Sequence, residues 1–260
     1  MDDYLIILGK YTGSDATVML PEGITTVGER AFAGNTLIEE AVIPEGVRGL
    51  DDGCFDSCTS LRSVQMPNSL WRIGARAFKG CAALEELDFP DELGSIGIDA
   101  FRDCRSLVGV QLPANLKQLK DGCFSNCAGL REVTFPNGLL ELGSYAFKNC
   151  TSLEELFFPE GLVSIGEGAF EGCTSLLGIV LPSTLEVIGL RAFAGCSRLY
   201  QPAIPAGVRE VADDAFENAG VVGRGDAEPD EGGVFECGAR LAVNRIAHDR
   251  ADWSNLPGWQ

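Results

Sequence analysis

Phenylalanine recurs at Phe32, Phe55, Phe78, Phe101, Phe124, Phe147, Phe170, Phe193 and Phe216, each 23 residues after the last, with no insertion or deletion. Proline keeps the same step from Pro21 to Pro205. A strict period of this size is the signature of stacked identical units, and it overrides any domain reading based on length alone. The stretch Cys81-Ala-Ala-Leu84-Glu-Glu-Leu87-Asp-Phe89-Pro90 ends in alternating apolar sites, so Glu85 to Phe89 is expected to form a short half-buried strand. Pro90 lacks a ladder donor and marks the strand's end. Ile73, Ala77, Phe78 and Cys81 are spaced as one face of a helix of one to two turns. Turn-forming residues follow at Gly34, Ser57, Gly80, Asp103, Asn126, Asn149, Gly172, Gly195 and Asn218, many of them tolerant of the left-handed conformation that closes a helix. The expected unit is therefore strand, turn, short helix, turn.

One such unit cannot cover its own apolar side. Stacking buries a continuous core in which each Leu, Ile or Phe contributes roughly 1.5 to 3 kcal/mol. Parallel strands lie about 4.8 Å apart and helices about 8 to 10 Å apart. The expected fold class is therefore an α/β solenoid, a horseshoe with a parallel concave β-sheet and short convex helices.

The segment Leu153-Glu-Glu-Leu156-Phe-Phe158-Pro159-Glu-Gly-Leu162-Val-Ser-Ile165-Gly166-Glu-Gly-Ala169-Phe170-Glu-Gly-Cys173 resembles the BspA-like (treponemal type) class of leucine-rich repeats at every fixed site. The resemblance covers roughly residues 18 to 216. It implies a leucine-rich-repeat horseshoe and a non-catalytic role in protein binding or adhesion, with members that are often cell-surface proteins of bacteria or protists.

The chain of 260 residues is expected to be a single solenoid domain. Residues 1–17, with Tyr4 to Leu8 and Tyr11, are expected to cap the first repeat, 18–216 to form nine repeats, and 217–260 to form a C-terminal cap or a partner-binding tail. In that tail Ala242, Val243, Ile246 and Ala247 share a helical face ahead of Trp253 and Trp259. A net charge of -18 repels phosphate backbones and anionic lipids, so nucleic acid and membrane surfaces are not the expected partners. The longest early apolar run, Tyr4 to Leu8, is too short to insert in a membrane, and Met1-Asp-Asp is not the basic start of a secretory signal. A cytoplasmic location is expected if Met1 is the native start, with a cell-surface protein stripped of its leader as the alternative.

Seven cysteines, Cys58, Cys81, Cys104, Cys127, Cys150, Cys173 and Cys196, follow the phenylalanine by three residues and are expected as a column of buried thiols. Helix spacing would hold neighbouring alpha carbons beyond about 7 Å, which disfavours disulfides between repeats. Cys54 with Cys58 and Cys123 with Cys127 lie three repeats apart and do not make a four-cysteine zinc site. His248 is the only histidine, which leaves no nucleophile–histidine triad within the repeats. The 32 glycines fall mainly at repeat turns, not in a phosphate loop. No catalytic residue, metal site or cofactor is expected. The acidic dipeptides Glu39-Glu40, Glu85-Glu86 and Glu154-Glu155 suit solvated strand and turn positions better than a calcium site. Arg224-Gly225-Asp226 spells the integrin tripeptide, a match of only three residues.

The concave face is the expected site. Its outward strand positions run from Glu40 and Val42 through Ser63 and Gln65, Glu86 and Asp88, Gly109 and Gln111, Glu132 and Thr134, Glu155 and Phe157, and Gly178 and Val180 to Gln201 and Ala203. Phe157 and Val180, with Leu177 and Tyr200 beside them, form an apolar patch next to Glu132 and Glu155, with Glu86 and Asp88 further along. A patch of this kind rimmed by charge suits a protein partner with a basic surface. The alternatives are a tail that folds over the patch, a structural spacer or adhesin with generic repeats, and a glycan-binding face, for which Phe157 and Tyr200 supply few aromatic rings.

Overall fold

The computed structural model describes residues 7–200 and 202–220. Over this span the chain winds as a parallel β-solenoid, and most turns contribute strands to two ladders. One ladder holds three-residue strands, from Thr17–Met19 and Glu40–Val42 to Glu155–Phe157 and Gly178–Val180. The other holds two-residue strands, from Ile7–Leu8 and Thr26–Val27 to Val187–Ile188 and Glu210–Val211. Partners are 23 residues apart, as in Thr17↔Glu40 and Val187↔Glu210. The first turn is four residues shorter, pairing Ile7 with Thr26. There Tyr11 rather than phenylalanine lies on the Phe32 ring, at 5.1 Å between centroids.

The expected short convex helices do not form: among the described residues there is no helix. The reason lies in where the backbone donors go. Arg76, Phe78 and Gly80 donate their N–H groups to Ile98, Ala100 and Arg102 of the next turn, at 2.7 to 2.8 Å. The N–H groups between them close tight turns, Ala77 onto Gly74 and Lys79 onto Arg76. A helix would need those same donors for carbonyls four residues back. Residues at positive φ also interrupt the segments, twice in all but the last. Gly34, Ser57, Gly80, Asp103, Asn126, Asn149, Gly172, Gly195 and Asn218 all adopt the left-handed conformation, but they close turns rather than helices. A second left-handed column four residues earlier contains Arg30, Arg76, Asp99, Tyr145 and Arg191. The spacing of Ile73, Ala77, Phe78 and Cys81 identified buried residues correctly and their conformation wrongly.

Without helices, the repeat distance is set on every side by backbone hydrogen bonding from one turn to the next, between strands or between the tight-turn segments. Phe32, Phe55 and their successors stack with centroids 4.8 to 5.5 Å apart and planes within 8°, the offset-parallel geometry that aromatic pairs favour. The contrast between wide helix spacing and narrow strand spacing, from which a concave horseshoe was expected, is therefore absent. Phe89, Phe135 and Phe158 meet the column edge-on, at 5.6 to 5.9 Å from Phe101, Phe147 and Phe170. Columns of Leu and Ile, among them Leu61, Leu84, Leu107 and Leu130, fill the rest of the interior.

The ladder of three-residue strands is interrupted. It comprises a three-stranded group and two pairs, and Glu85 to Phe89, expected as a strand, enters none of them. The chain still lies against its neighbour there, with Glu85 N–H on Arg62 O at 3.2 Å. Glu85, Glu86 and Asp88 crowd carboxylates into this stretch, and acidic residues suit a pleated ladder poorly. The other interruption separates Glu132–Thr134 from Glu155–Phe157 and places two glutamates side by side, the like-charge neighbours that weaken strand pairing.

Candidate functional site

The three-residue strands form the face that the sequence reading placed on the concave side. Their central residues, including Ala41, Val64, Val110 and Leu156, point into the core, and the flanking residues point outward. Glu155–Phe157 pairs with Gly178–Val180 in register, so Phe157 lies beside Val180. Both remain exposed, at 61% and 52%, and Tyr200 is exposed at 66%. Leu177 is half-buried. Its N–H bonds to Glu154 O at 2.8 Å and its carbonyl accepts from Tyr200 N–H at 3.0 Å, which aligns Glu154, Leu177 and Tyr200 as an adjoining column. The structure thus brings Phe157, Leu177, Val180 and Tyr200 together, with exposed Glu155 on the same strand and Glu132 one turn before it.

Glu86 and Asp88 are also exposed, but they precede Phe157 by three repeats, in the interrupted stretch, and do not join the patch. A feature absent from the expected positions is Met19, exposed at 76% and in register with Val42 at the opposite end of the face. Its signal was available, since Met19 occupies the Phe157 column at the 23-residue step, but the outward positions were counted only from Glu40. Gln201 and residues 221–260 lie outside the described span. So do all but the first four residues of the expected C-terminal cap or tail at 217–260, the Arg224-Gly225-Asp226 tripeptide and His248.

Charge on this face is unevenly compensated. Arg62 bridges Glu39 at 3.9 Å and Glu85 at 3.3 Å, a ladder of alternating sign along the stack. Among the described residues no lysine or arginine pairs with Glu132 or Glu155. The turn face carries a denser network, in which Glu171 accepts from Lys148 at 2.8 Å and from Arg191 at 2.9 Å. Burial works against the Glu171 carboxylate, but those hydrogen bonds and charges outweigh it and hold its pKa below the usual value. Arg191 also bonds Glu217, and Tyr145 bonds Glu167.

A family description matches this architecture. The BspA type leucine-rich repeat region, in six copies, matches residues 10–108 and 94–221. The chain belongs to this BspA-type leucine-rich-repeat family. It is similar to the crystal structure of a leucine-rich-repeat protein of Treponema pallidum, with 32% identity and a TM-score of 0.55 over 74% of this chain and 82% of that one. A leucine-rich cell surface protein of Faecalibacterium prausnitzii shares the fold at 23% identity, with a TM-score of 0.54 over 84% and 83% of the two chains. Among curated proteins, none matches in sequence.

In this BspA-type solenoid the cysteine column is structural. Each thiol donates to the carbonyl of a phenylalanine one turn back, Cys58 to Phe32 and Cys127 to Phe101 at 3.1 Å, and Cys81 to Phe55 at 3.2 Å. The nine described cysteines are free and buried. The helix-spacing argument against disulfides loses its premise along with the helices; what engages the sulfurs instead is this hydrogen bonding. Desolvation raises the Cys58 pKa to about 12 and lifts those of Cys81, Cys123 and Cys127 well above the ordinary thiol value. Protonated, buried thiols are neither nucleophiles nor metal ligands. Among the described residues no three His, Cys, Asp or Glu side chains cluster to hold a metal, and no helix is long and apolar enough to cross a membrane. Family and fold are those of a repeat scaffold.

Proposed function

We propose that this chain is a non-catalytic protein-binding scaffold that engages a partner through its three-residue-strand face, centred on Phe157, Leu177, Val180 and Tyr200. The observation that carries the reading is the in-register, exposed pair Phe157 and Val180 beside exposed Tyr200. Three large apolar side chains left in solvent on an ordered face have no role in holding the fold, and such patches mark interaction sites. Glu132 and Glu155, which pair with no lysine or arginine among the described residues, favour a partner with lysine or arginine at the rim of its contact.

The test is capture from a lysate of the source organism by the parent chain and by a Phe157→Ser, Val180→Ser, Tyr200→Ser chain, followed by affinity measurement with the purified captured protein. The expected result is retention by the parent alone and an affinity at least about tenfold weaker for the variant, equivalent to about 1.4 kcal/mol. Equal affinity for the two chains would refute the site. A second reading, a surface adhesin using the same face, is favoured by the description of the Faecalibacterium prausnitzii structure as a cell surface protein. Labelling of intact cells with a membrane-impermeant reagent separates the two locations, cytoplasmic and surface, that the proposal leaves open.

A further inference from the structure

We infer that Asn137 is a site of spontaneous deamidation, set apart from the other described asparagines because it is exposed, makes no side-chain hydrogen bond and is followed by a glycine whose backbone amide is unsatisfied. The turn after each three-residue strand begins at proline, and in this repeat it reads Pro136-Asn137-Gly138-Leu139, closed by Leu139 N–H on Pro136 O at 3.1 Å. Asn137 is exposed. Deamidation begins when the N–H nitrogen after an asparagine loses its proton and attacks the side-chain Cγ. A five-membered succinimide forms and ammonia leaves. Water then opens either carbonyl of the ring, giving aspartate or its β-linked isomer. The step needs an accessible side chain, a following residue without a Cβ in the way, and an amide nitrogen not already held in a hydrogen bond.

Asn137 meets all three conditions because of what the next turn contains. The residue equivalent to Gly138 one period later is Gly161, which has no side-chain acceptor. In the matching turns the following period supplies a hydroxyl, so Gly46 N–H is held by Ser69 Oγ and Gly161 N–H by Thr184 Oγ1, both at 2.9 Å. Among the described residues Gly138 N–H has no such acceptor, and the Asn137 amide makes no side-chain hydrogen bond. The other described asparagines each miss a condition: Asn35 accepts from Leu37 and Ile38 N–H at 2.9 and 3.1 Å, and the N–H after Asn218 is held by Phe216 O at 3.0 Å. Asn68 donates to Glu45 at 3.3 Å, Asn115 to Asp91 O at 3.1 Å, Asn126 to Asp103 at 3.0 Å and Asn149 to Asn126 at 2.9 Å. The N–H groups after Asn126 and Asn149 belong to Cys127 and Cys150 and bond to Phe124 and Phe147 at 3.2 Å. Conversion of Asn137 places a new carboxylate three residues beyond Thr134, at the rim of the apolar face and one repeat from Glu160.

The experiment is incubation of the folded full chain at neutral pH and one unit above it, with peptide mass spectrometry and enzymatic detection of the β-linked isomer. Asn137 is expected to convert first, in proportion to hydroxide. Release of its attacking N–H alone is worth roughly fivefold over Asn126 and Asn149, the rate equivalent of about 1 kcal/mol. Conversion of Asn137 no faster than Asn126 or Asn149 in the folded chain would overturn the inference. A Gly138→Ala chain that kept the parental rate would overturn it equally, since a Cβ beside the attacking nitrogen hinders ring closure, while the only group it meets closely, Lys117 Nζ at 2.6 Å, ends a flexible side chain that can move aside.

Discussion

The buried thiols make stability steeply dependent on alkaline pH, and the position of the transition can be worked out from the structure. Cys54, Cys58, Cys81, Cys104, Cys123, Cys127, Cys150 and Cys173 all have pKa values raised by burial above the ordinary 9.0. In the unfolded chain each thiol ionises near that ordinary value. A group whose native pKa is raised contributes its full stabilisation below the unfolded value and loses it as the pH climbs towards the native one. Each thiol held protonated costs about 1.36 kcal/mol for every pH unit above 9. Eight acting together amount to about 11 kcal/mol per unit, against a total stability of about 5 to 15 kcal/mol for a typical domain. The chain should therefore be unaffected up to about pH 8.5 and unfold cooperatively by about pH 10, well before the native thiols could titrate individually. The assay is a pH titration followed by thiolate ultraviolet absorbance and far-ultraviolet circular dichroism on one sample. The two signals should change together. Thiolate absorbance that rises gradually while the β signal is unchanged would refute the reasoning, because it would mean that the column is open to hydroxide in the folded state.

Phe124→Ala in the middle of the ring column should destabilise the chain by about 3 to 5 kcal/mol in urea unfolding, since it removes two stacked contacts and leaves a cavity that strand hydrogen bonding keeps from closing. Arg76→Gly should raise the thermal midpoint, because Arg76 has φ 55° and glycine relieves a left-handed strain of about 1 kcal/mol; Gly80→Ala, at φ 73°, should lower it by a similar amount. Glu171→Gln should cost about 1.5 kcal/mol at neutral pH by weakening the bonds from Lys148 and Arg191. Because the Glu171 pKa is lowered, the parent's advantage over that variant should be present above pH 4.5 and disappear as the pH falls through the native value, which paired denaturation curves would show.

Much of the core was legible because its chemistry repeats. The phenylalanine column, the thiols beside it and the strands ending at proline follow from a step that never slips. Conformation at the turns was less legible for a physical reason. Apolar residues at i, i+4, i+5 and i+8 fit a helical face, and they also fit a run of tight turns whose alternate donors reach the next coil. Sequence spacing specifies which side chains go inward and not where the N–H groups go. The second left-handed column was less legible for a related reason, because Arg30, Arg76, Tyr145 and Arg191 are not turn formers by type and accept that geometry under the constraint of the stack, beside Asp99 and Gly53, Gly122 and Gly168 in the same column. On the candidate face, the alternation of inward and outward residues identified Phe157 and Val180. That Glu86 and Asp88 would lie outside the ladder depends on pairing energies between turns, which one turn's sequence does not contain.

Hydrogen bonding at a single spacing on all sides also determines where this chain can differ from any other stack of the same unit. A change at an inward position is felt by the turns above and below, as the ring and thiol columns show, so inner positions are held to a few residue types. Outward positions meet only their column neighbours, and chemical individuality gathers there in pairs across adjacent turns: Phe157 with Val180, Glu132 with Glu155, Leu177 with Tyr200. A surface assembled from adjacent turns acts as a unit only while those turns remain stacked. Phe147→Ala, in the core between the Phe124 and Phe170 rings, should therefore weaken partner binding in proportion to the fraction of chain unfolded, whereas Phe157→Ser should weaken it in a fully folded chain. Binding and circular dichroism measured at the same temperature separate the two. If both variants lost binding only as they lost structure, the face would be a consequence of the stack and not a site upon it.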